Sequence, residues 1–174
     1  MKKPAGKAEI DVRIDAAFKK LQARDAFLLE NRVGERCVAA RFAFYLVPLF
    51  RGFDVDVEYN RQGINPNHAK GVDAGDLKDC RSALRAFRDG KPTVRVFPDI
   101  IVHHRGKKGY EHNLLVIEIK RSTNNETHAC DIAKIDVMLT TYKYRFGLFL
   151  VMPSGKGAAQ KDLVKTWWGP YGIA

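Results

Sequence analysis

The sequence contains few cysteines and no long apolar run. Its 174 residues include three cysteines, Cys37, Cys80 and Cys130, which lie far apart and show no C-x-x-C spacing. This usage predicts free thiols in a reducing cytoplasm and argues against a zinc site. No apolar stretch approaches the ~20 residues of a membrane span, and the N-terminus lacks the apolar segment of a signal peptide. We therefore expect a cytoplasmic protein with no membrane partner.

Acidic residues are scarce relative to basic ones. The chain has 20 Asp and Glu against 30 Lys and Arg, which gives a net charge of +10. Such a charge favours a polyanionic partner, although a basic balance alone is also common among well-solvated proteins. Internal repeats and low-complexity tracts are absent as well. Together with the chain length, this predicts a single domain over residues 1–174 with a hydrophobic core of its own.

The stretch from Val94 to Ser122 organises the rest of the chain. Its two apolar, β-branched runs, Val94–His103 and Leu114–Ile119, predict a pair of strands. A polar, glycine-bracketed segment at 105–109 separates the two runs, which is typical of the turn of a β-hairpin.

Charged residues interrupt both of these strands. Side chains alternate along a strand, so Glu118 and Lys120 share one face with Val116. A turn centred at 107–108 would place Asp99 directly opposite Val116 and diagonally across from Glu118. A shift of one residue in this pairing would move Asp99 to the other face. In the favoured pairing, two carboxylates and one amine converge on a mostly buried sheet, where charges are costly unless they are paired or bind a metal.

Pro98-Asp99, followed by Glu118-Ile119-Lys120 on the next strand, resembles the motif of the PD-(D/E)xK nuclease superfamily. The resemblance covers most of the chain after about residue 30, and a hairpin of hydrophobic strands carries both halves of the motif. It implies that Asp99 and Glu118 bind a divalent cation, Mg²⁺ or in its place Mn²⁺, and that the Ile119 carbonyl completes the site. It further implies that Lys120 activates the attacking water or stabilises charge.

The chemistry of these residue types supports the same hypothesis. Carboxylate oxygens suit a hard cation that keeps several waters. Such a metal lowers the pKa of bound water and stabilises charge developing on a phosphodiester, and a nearby lysine acts as a further point charge. The alternative is a cross-strand salt bridge of Asp99 or Glu118 with Lys120 at a solvated sheet edge.

Two further acidic residues are candidates for the site. Glu35 lies in the first turn of a helix predicted at 34–46. Either its carboxylate complements the helix dipole, or, as the family resemblance implies, it joins the metal site from the first core helix. Glu58 closes the alternating pattern at 53–58, which predicts the first core strand. As a second-rank candidate, Glu58 either faces the site or is a solvated charge at the strand end.

The remaining patterns place the other elements. Helical spacing of apolar residues predicts a helical N-terminal extension at 1–29, which begins with a loose basic tail at 1–7, and core helices at 34–46 and 129–141. An apolar run at 144–152 predicts a buried strand. The spacing of Leu163, Val164, Trp167 and Trp168 predicts a C-terminal helix within 156–174. Turn-forming residues predict loops at 62–72, 121–126 and 153–157, and the last of these lacks the spacing of a nucleotide-binding P-loop.

Residues 61–92 are expected to form an inserted loop and helix between two core strands. Without this insertion and the two ends, the predicted order of elements is α-β-β-β-α-β. This order resembles the restriction-endonuclease-like core. A hairpin followed by a helical crossover to a fourth strand predicts an α/β fold with a mixed central sheet flanked by helices.

The inserted helix carries a stripe of basic residues. At three- and four-residue spacing the stripe contains Lys78, Arg81, Arg85 and Arg88. Either it follows a phosphate backbone without reading sequence, as its uniform sign favours, or it is a solvated helix face.

On the helix at 129–141 we expect Asp131 and Lys134 on the exposed side, with an approach to the site as the alternative.

These features predict a Mg²⁺-dependent nuclease that hydrolyses phosphodiester bonds of nucleic acid, DNA rather than RNA. One alternative is a catalytically silent protein of nuclease fold that serves as a nucleic-acid-binding or assembly module. Another is a structural protein whose charged hairpin is only a salt-bridge network. An endonuclease of this size that cuts both strands would need two active sites, which favours a homodimer.

Overall fold

The fold is described from a computed structural model of the protein. The structure describes residues 5–31, 33–61, 63–64, 69–78, 80–91, 93–122, 128–169 and 172–173. At Phe87 and at residues 172–173 it describes the backbone alone. The loose basic tail expected at 1–7 and the loops expected at 62–72 and 121–126 therefore lie partly outside the described residues. No helix in the described part of the chain is long and apolar enough to span a membrane.

Four α-helices are seen in the described residues. They are α1 (Lys7–Glu30), α2 (Glu35–Leu46), α3 (Arg81–Arg88) and α4 (Ala129–Thr140). Single 3-10 turns occur at Val47–Leu49, Ala74–Leu77 and Ala158–Gln160. The helices expected at 34–46 and 129–141 are thus present almost at their expected bounds, because a continuous apolar stripe marks each of them.

In the part of the chain that the structure describes, eight β-strands form two sheets. The strands are β1 (Asp54–Val57), β2 (Gly71–Asp73), β3 (Thr93–Arg95), β4 (Ile100–His103), β5 (Asn113–Arg121), β6 (Phe146–Met152), β7 (Val164–Gly169) and β8 (Gly172–Ile173). The main sheet has the order β1-β4-β5-β6-β7-β8, and β2 pairs with β3 in a separate two-stranded sheet. Within the main sheet β5 and β6 are parallel and the other neighbours are antiparallel.

Helices cover both faces of the main sheet. On one face, α1 and α2 bury side chains such as Ile14 and Phe42 against Ile117 of β5. On the other face, α4 and the inserted segment pack against Val116 and its neighbours. The expected α/β fold with a mixed sheet flanked by helices is therefore confirmed.

Two elements pack so closely that only glycine fits between them. A Cβ atom on Gly147 of β6 would lie 2.3 Å from Cγ2 of Ile135 on α4. Because this separation is far below van der Waals contact, the missing side chain lets α4 lie directly on the sheet. This close contact sets the distance of α4 from β5, where the candidate site residues lie.

The observed hairpin differs from the expected one in strand length and pairing. The expected strand Val94–His103 is interrupted, since β3 leaves the main sheet to pair with β2 and only β4 pairs with β5. Pro98 lies at the interruption, where its missing N–H cannot join a ladder of hydrogen bonds. Ile101 pairs with Val116, so the expected pairing of Asp99 with Val116 is wrong by two residues. A shift of two preserves the face of every side chain.

The C-terminal helix expected within 156–174 is wrong. This segment forms a 3-10 turn and then β7, which pairs antiparallel with β6 and packs buried Trp167 against the core. The central strand β6 would otherwise have an open, apolar edge, and covering that edge outweighs the local helical spacing. The inserted segment at 61–92 likewise contains a strand, β2, beside its expected helix.

Two of the three cysteines are not free thiols. Cys80, in the inserted segment, and Cys130, in the first turn of α4, form a disulfide across a sequence separation of 50 residues. Cys37 is free and exposed. The expectation of free thiols is therefore wrong at two positions, because wide sequence spacing gives no information on spatial proximity once the chain has folded.

The helical N-terminal extension predicted at 1–29 forms α1, whose apolar residues Ile10, Ile14 and Leu21 are fully buried in the core. Helix α1 thus forms a layer of the fold on the face opposite α4.

Candidate functional site

The hairpin brings Asp99 and Glu118 together at the end of the β4–β5 pairing. Ile100 pairs with Ile117, and Asp99 and Glu118 are the next residues along their strands. The backbone N–H of Ile119 donates a hydrogen bond of 2.7 Å to Oδ2 of Asp99. Glu118 is fully buried on the α4 face of the sheet. The expected convergence of the two carboxylates is present, and the shift of two residues makes it closer than expected.

Helix α4 contributes two charged residues that face the strands and not the solvent. Nζ of Lys134 donates to Oε2 of Glu118 at 2.9 Å and to Oδ1 of Asp131 at 3.0 Å. Nζ of Lys120 lies 3.1 Å from Oδ2 of Asp131. Asp131 is buried. Because its two oxygens contact different lysines, Asp131 links Lys120 of the motif to Lys134 of α4. Of the two positions considered for Asp131 and Lys134, the approach to the site is the correct one.

Helix α2 adds Glu35 from its first turn. Nζ of Lys120 donates a hydrogen bond of 3.3 Å to Oε2 of Glu35. The carboxylate is thus at the helix N-terminus, where it complements the dipole, and also in contact with the site. The two interpretations of Glu35 are compatible in this geometry.

Glu58 lies at the same place, directly after β1. Its φ angle is +50°, a left-handed conformation that is uncommon for a residue other than glycine. The N–H of Glu58 donates to the carbonyl of Asp99 at 3.2 Å, and Oε1 of Glu58 lies 2.6 Å from Nε of Arg36. Unusual backbone conformations of this kind often occur at functional sites. The second-rank candidate is therefore placed beside the first-rank residues.

Burial controls the titration of the two motif carboxylates. Burial raises the pKa of Glu118 well above its ordinary value, although the ammonium group of Lys134 opposes the shift. Burial also raises the pKa of Asp99, and the hydrogen bond from Ile119 opposes it. Both carboxylates consequently hold protons more tightly than they would in water.

The two lysines behave in the opposite way. Burial lowers the pKa of Lys134, but the charges of Glu118 and Asp131 outweigh burial and raise the pKa overall. Burial likewise lowers the pKa of Lys120, while Asp131 and Glu35 outweigh it and raise the pKa. Both side chains are therefore cations at neutral pH, which suits a point charge better than a general base.

A cleft of about 690 Å³ opens onto these residues. It is lined by residues that include Glu35, Arg36, Glu58, Asp99 and Lys134. The inserted segment and the chain before Asp99 form its other wall. A cleft of this volume is within the range of ligand sites in proteins. Glu35, Glu58 and Asp99 are thus reached from the cleft, whereas Glu118 and Asp131 are buried behind them.

The donor set fits Mg²⁺ better than a metal that needs a full protein cage. Among the described residues there is no group of three or more His, Cys, Asp or Glu arranged to hold a metal ion. Mg²⁺, however, is commonly held by one or two carboxylates and completes its shell with waters and substrate oxygens. Oε1 of Glu118 is buried and has no hydrogen-bond partner among the described residues. A cation at this oxygen would satisfy it.

Four carboxylates, those of Glu35, Asp99, Glu118 and Asp131, surround the two ammonium groups of Lys120 and Lys134. The cluster is therefore rich in carboxylate oxygens, which are the ligands that a hard divalent cation prefers.

The basic stripe lies outside this cluster. Lys78, Arg81, Arg85 and Arg88 are all exposed, in the turn before α3 and on α3 itself. Cys80 and Ser82, which alternate with the first stripe residues, line the cleft. The stripe therefore borders the cleft and does not contribute to its floor.

Asp131 and Lys134 are the site residues whose position the sequence left open. They lie three residues apart on the same side of α4. This i, i+3 pair of opposite charges was the available signal, but the same pattern is typical of a solvated helix surface.

No protein-family model, curated protein or solved structure matches this chain. The function of the protein is therefore inferred from the geometry of the site.

Proposed function

We propose that the protein is a Mg²⁺-dependent nuclease of the PD-(D/E)xK type, with DNA as its substrate. The observation that carries this proposal is Oε1 of Glu118, which is buried and has no hydrogen-bond partner among the described residues, beside Asp99, which lines an accessible cleft. A salt bridge alone does not explain this oxygen, since Lys134 reaches only the other oxygen of the same carboxylate.

The order of elements supports the same proposal. Helix α2 is followed by β1, β4, β5, α4 and β6, and β5 is parallel to β6 across the α4 crossover. This order is the one expected for a restriction-endonuclease-like core. In such a core the segment between β1 and β4 is an insertion, and here it forms one wall of the cleft.

Asp99, Glu118 and the carbonyl of Ile119 would hold the metal ion, and Mn²⁺ would serve in place of Mg²⁺. When bound, the ion lowers the pKa of water and stabilises charge on the phosphodiester. Lys120 remains protonated and supplies a positive charge beside the reacting phosphate. Lys134 positions the Glu118 carboxylate through its hydrogen bond, while Asp131 bridges Lys120 and Lys134 through an ion pair with each.

A cleavage assay tests the proposal. Purified protein is incubated with plasmid, single-stranded DNA and RNA in Mg²⁺, in Mn²⁺ and in chelator. We expect metal-dependent cleavage that Asp99→Asn and Lys120→Met each reduce by about a hundredfold or more, since both remove charge stabilisation of the transition state. Asp162→Asn, an exposed carboxylate on the opposite side of β6, serves as the matched control and retains activity.

Cleavage that persists in chelator, or that Asp99→Asn leaves unchanged in a folded protein, would contradict the proposal.

A nuclease-fold protein without catalytic activity is the second candidate. It is favoured by the lysines, which already pair with three of the four carboxylates. Salt-sensitive binding of nucleic acid without cleavage of any polymer would support that candidate.

A homodimer is part of the proposal only for cleavage of both strands. Two copies would present two sites to a duplex. Measurement of the molar mass in solution, with and without a duplex, distinguishes a dimer from a monomer that cuts one strand at a time.

A further inference from the structure

The chain leading into Asp99 places a cation, an aromatic ring and a metal ligand in one row. From residue 94 to 98, buried and exposed side chains alternate, with Val94, Val96 and Pro98 buried and Arg95 and Phe97 exposed. Arg95, Phe97 and Asp99 all line the same cleft, together with Val96.

Phe97 is an unusual group to expose at this place. Its side chain is 45% exposed, although it is flanked by the buried residues Val96 and Pro98. The proline also restricts the backbone of Phe97 to extended conformations. A large apolar ring held in a cleft beside charged groups is the arrangement by which proteins stack unpaired bases.

Two arginines supply positive charge around the ring. Arg95 is exposed on the same wall, and Arg36 faces it from the first turn of α2. The guanidinium of Arg36 pairs with Glu58, and it remains largely exposed. Two guanidinium groups in the same cleft as an aromatic ring suit the phosphates that precede and follow a stacked base.

The exposed ring favours an unpaired strand over a duplex. In a duplex, neighbouring base pairs cover both faces of every base, so no face is available to Phe97. In an unpaired strand, the face of a base is free to stack on an aromatic side chain.

We propose that the cleft binds single-stranded polynucleotide, with one unpaired base stacked on Phe97 and the adjoining phosphates at Arg95 and Arg36. This inference rests on the proposed function, which places the reacting phosphate of the strand at Asp99. It narrows the substrate class from nucleic acid in general to a strand without a partner at the point of binding.

Binding in the absence of metal tests the inference separately from catalysis. The probes are a fluorescein-labelled oligothymidine of about 12 nucleotides and the same strand annealed to its complement. Fluorescence anisotropy is measured in chelator, so that no cleavage occurs. We expect the single strand to bind more tightly than the duplex.

Substitution of Phe97 identifies the ring as the stacking group. Phe97→Leu keeps an apolar side chain but removes the aromatic face, and we expect it to weaken single-strand binding about tenfold without changing duplex binding. Phe97→Tyr, which keeps the face, should restore affinity to within about twofold. The control is Phe27→Leu on α1, which alters an exposed phenylalanine outside the cleft residues. Thermal melts confirm that each variant is folded.

Equal or tighter binding of the duplex, or equal effects of Phe97→Leu and Phe27→Leu, would overturn the inference. Metal-dependent cleavage that Phe97→Leu leaves unchanged on single strands would also overturn it while leaving the nuclease proposal intact. Conversely, Phe97-dependent binding of single strands without any cleavage would support the inference and contradict the nuclease proposal.

Discussion

Burial of Glu118 favours its protonated form, whereas binding of a cation requires its ionised form. The fold places its carboxylate in a fully buried position with one oxygen unpartnered among the described residues, and burial raises its pKa. Because the folded state holds this proton more tightly than the unfolded chain, the contribution of Glu118 to stability is greatest below pH 4.5 and declines as the pH rises. A bound cation would reverse the decline, since it requires the ionised form.

Metal binding should therefore depend on pH. We expect the affinity for Mg²⁺ and Mn²⁺ to increase as the pH rises above 4.5, because the cation displaces the proton that burial retains on Glu118. Calorimetric titration at several pH values between acid and mildly alkaline conditions measures this. Glu118→Gln, which cannot ionise, should abolish the binding, and an affinity that does not change with pH in the native protein would rule out Glu118 as the ligand.

Lys70 is a second buried charge, outside the cleft. It is 2% exposed, and its ammonium group lies 3.3 Å from the carbonyl of Tyr59 and 3.4 Å from the hydroxyl of Tyr144. Burial lowers its pKa to about 8, from an ordinary value of 10.5. The unfolded chain thus binds this proton more tightly, so stability should rise with pH between these two values.

Substitution of Lys70 by methionine checks this linkage. Lys70→Met keeps the length of the side chain and removes the charge, so we expect it to stabilise the protein at pH 7 by about 1–3 kcal/mol. The rise of stability between pH 8 and pH 10.5 should also disappear in the variant. Urea unfolding across this range measures both effects. A loss of stability in Lys70→Met would show that the polar contacts of the ammonium group outweigh its burial.

At the scale of elements, α4 connects the site to the inserted segment. Its first turn holds Cys130, which is bonded to Cys80 at the cleft wall, and the next residues include Asp131 and Lys134 of the site. The disulfide therefore fastens the helix that positions Glu118 to the segment that closes the cleft. No pattern in the sequence indicated this connection.

The disulfide should contribute measurably to stability. Closing a loop across the 50 residues between Cys80 and Cys130 restricts the unfolded chain, and its loss should cost about 4 kcal/mol. We expect this loss in the double variant Cys80→Ser/Cys130→Ser and in native protein under reductant, as measured by urea unfolding. Cys37→Ser is the control and should respond to reductant as the native protein does. Titration of three reactive thiols in the unfolded, unreduced protein would contradict the disulfide.

Helix α4 and strand β7 show which elements the sequence could predict. The helix was predicted to within one residue, because its apolar periodicity extends over three turns. The segment around Trp167 has a spacing that suits a helix equally well, but it forms a strand that covers the edge of β6. The indole of Trp167 donates to Asp11 of α1 at 3.2 Å, a contact between opposite ends of the chain. The local periodicity of apolar residues cannot predict a contact between segments so far apart in the sequence.

At the scale of the whole molecule, the net charge of +10 should govern affinity for nucleic acid. Counterions released from phosphates make such binding weaken with salt, by a slope that scales with the number of phosphate contacts. The stripe at Lys78, Arg81, Arg85 and Arg88 borders the cleft and is exposed. It is therefore the surface from which these contacts are expected.

Removing part of the stripe should reduce the salt dependence. For Lys78→Ala/Arg85→Ala we expect weaker binding of single-stranded DNA and a logarithmic salt slope lower by about 0.7 for each lost contact. Lys19→Ala/Lys20→Ala on the exposed side of α1 removes the same charge elsewhere and is the matched control. Affinity measured over a range of salt concentrations separates the two variants. Equal slopes would mean that net charge alone, without a defined surface, attracts the nucleic acid.

The sequence by itself determined the helices at 34–46 and 129–141 and the common face of Glu118 and Lys120. The reason is local, since apolar periodicity and side-chain alternation follow directly from backbone geometry. Only the tertiary structure decided the hairpin pairing, the partner of Cys80 and the strand that contains Trp167. It also turned Lys134 toward Glu118. Each of these depends on contacts between segments far apart in the chain, and their energies arise only when the layers pack together.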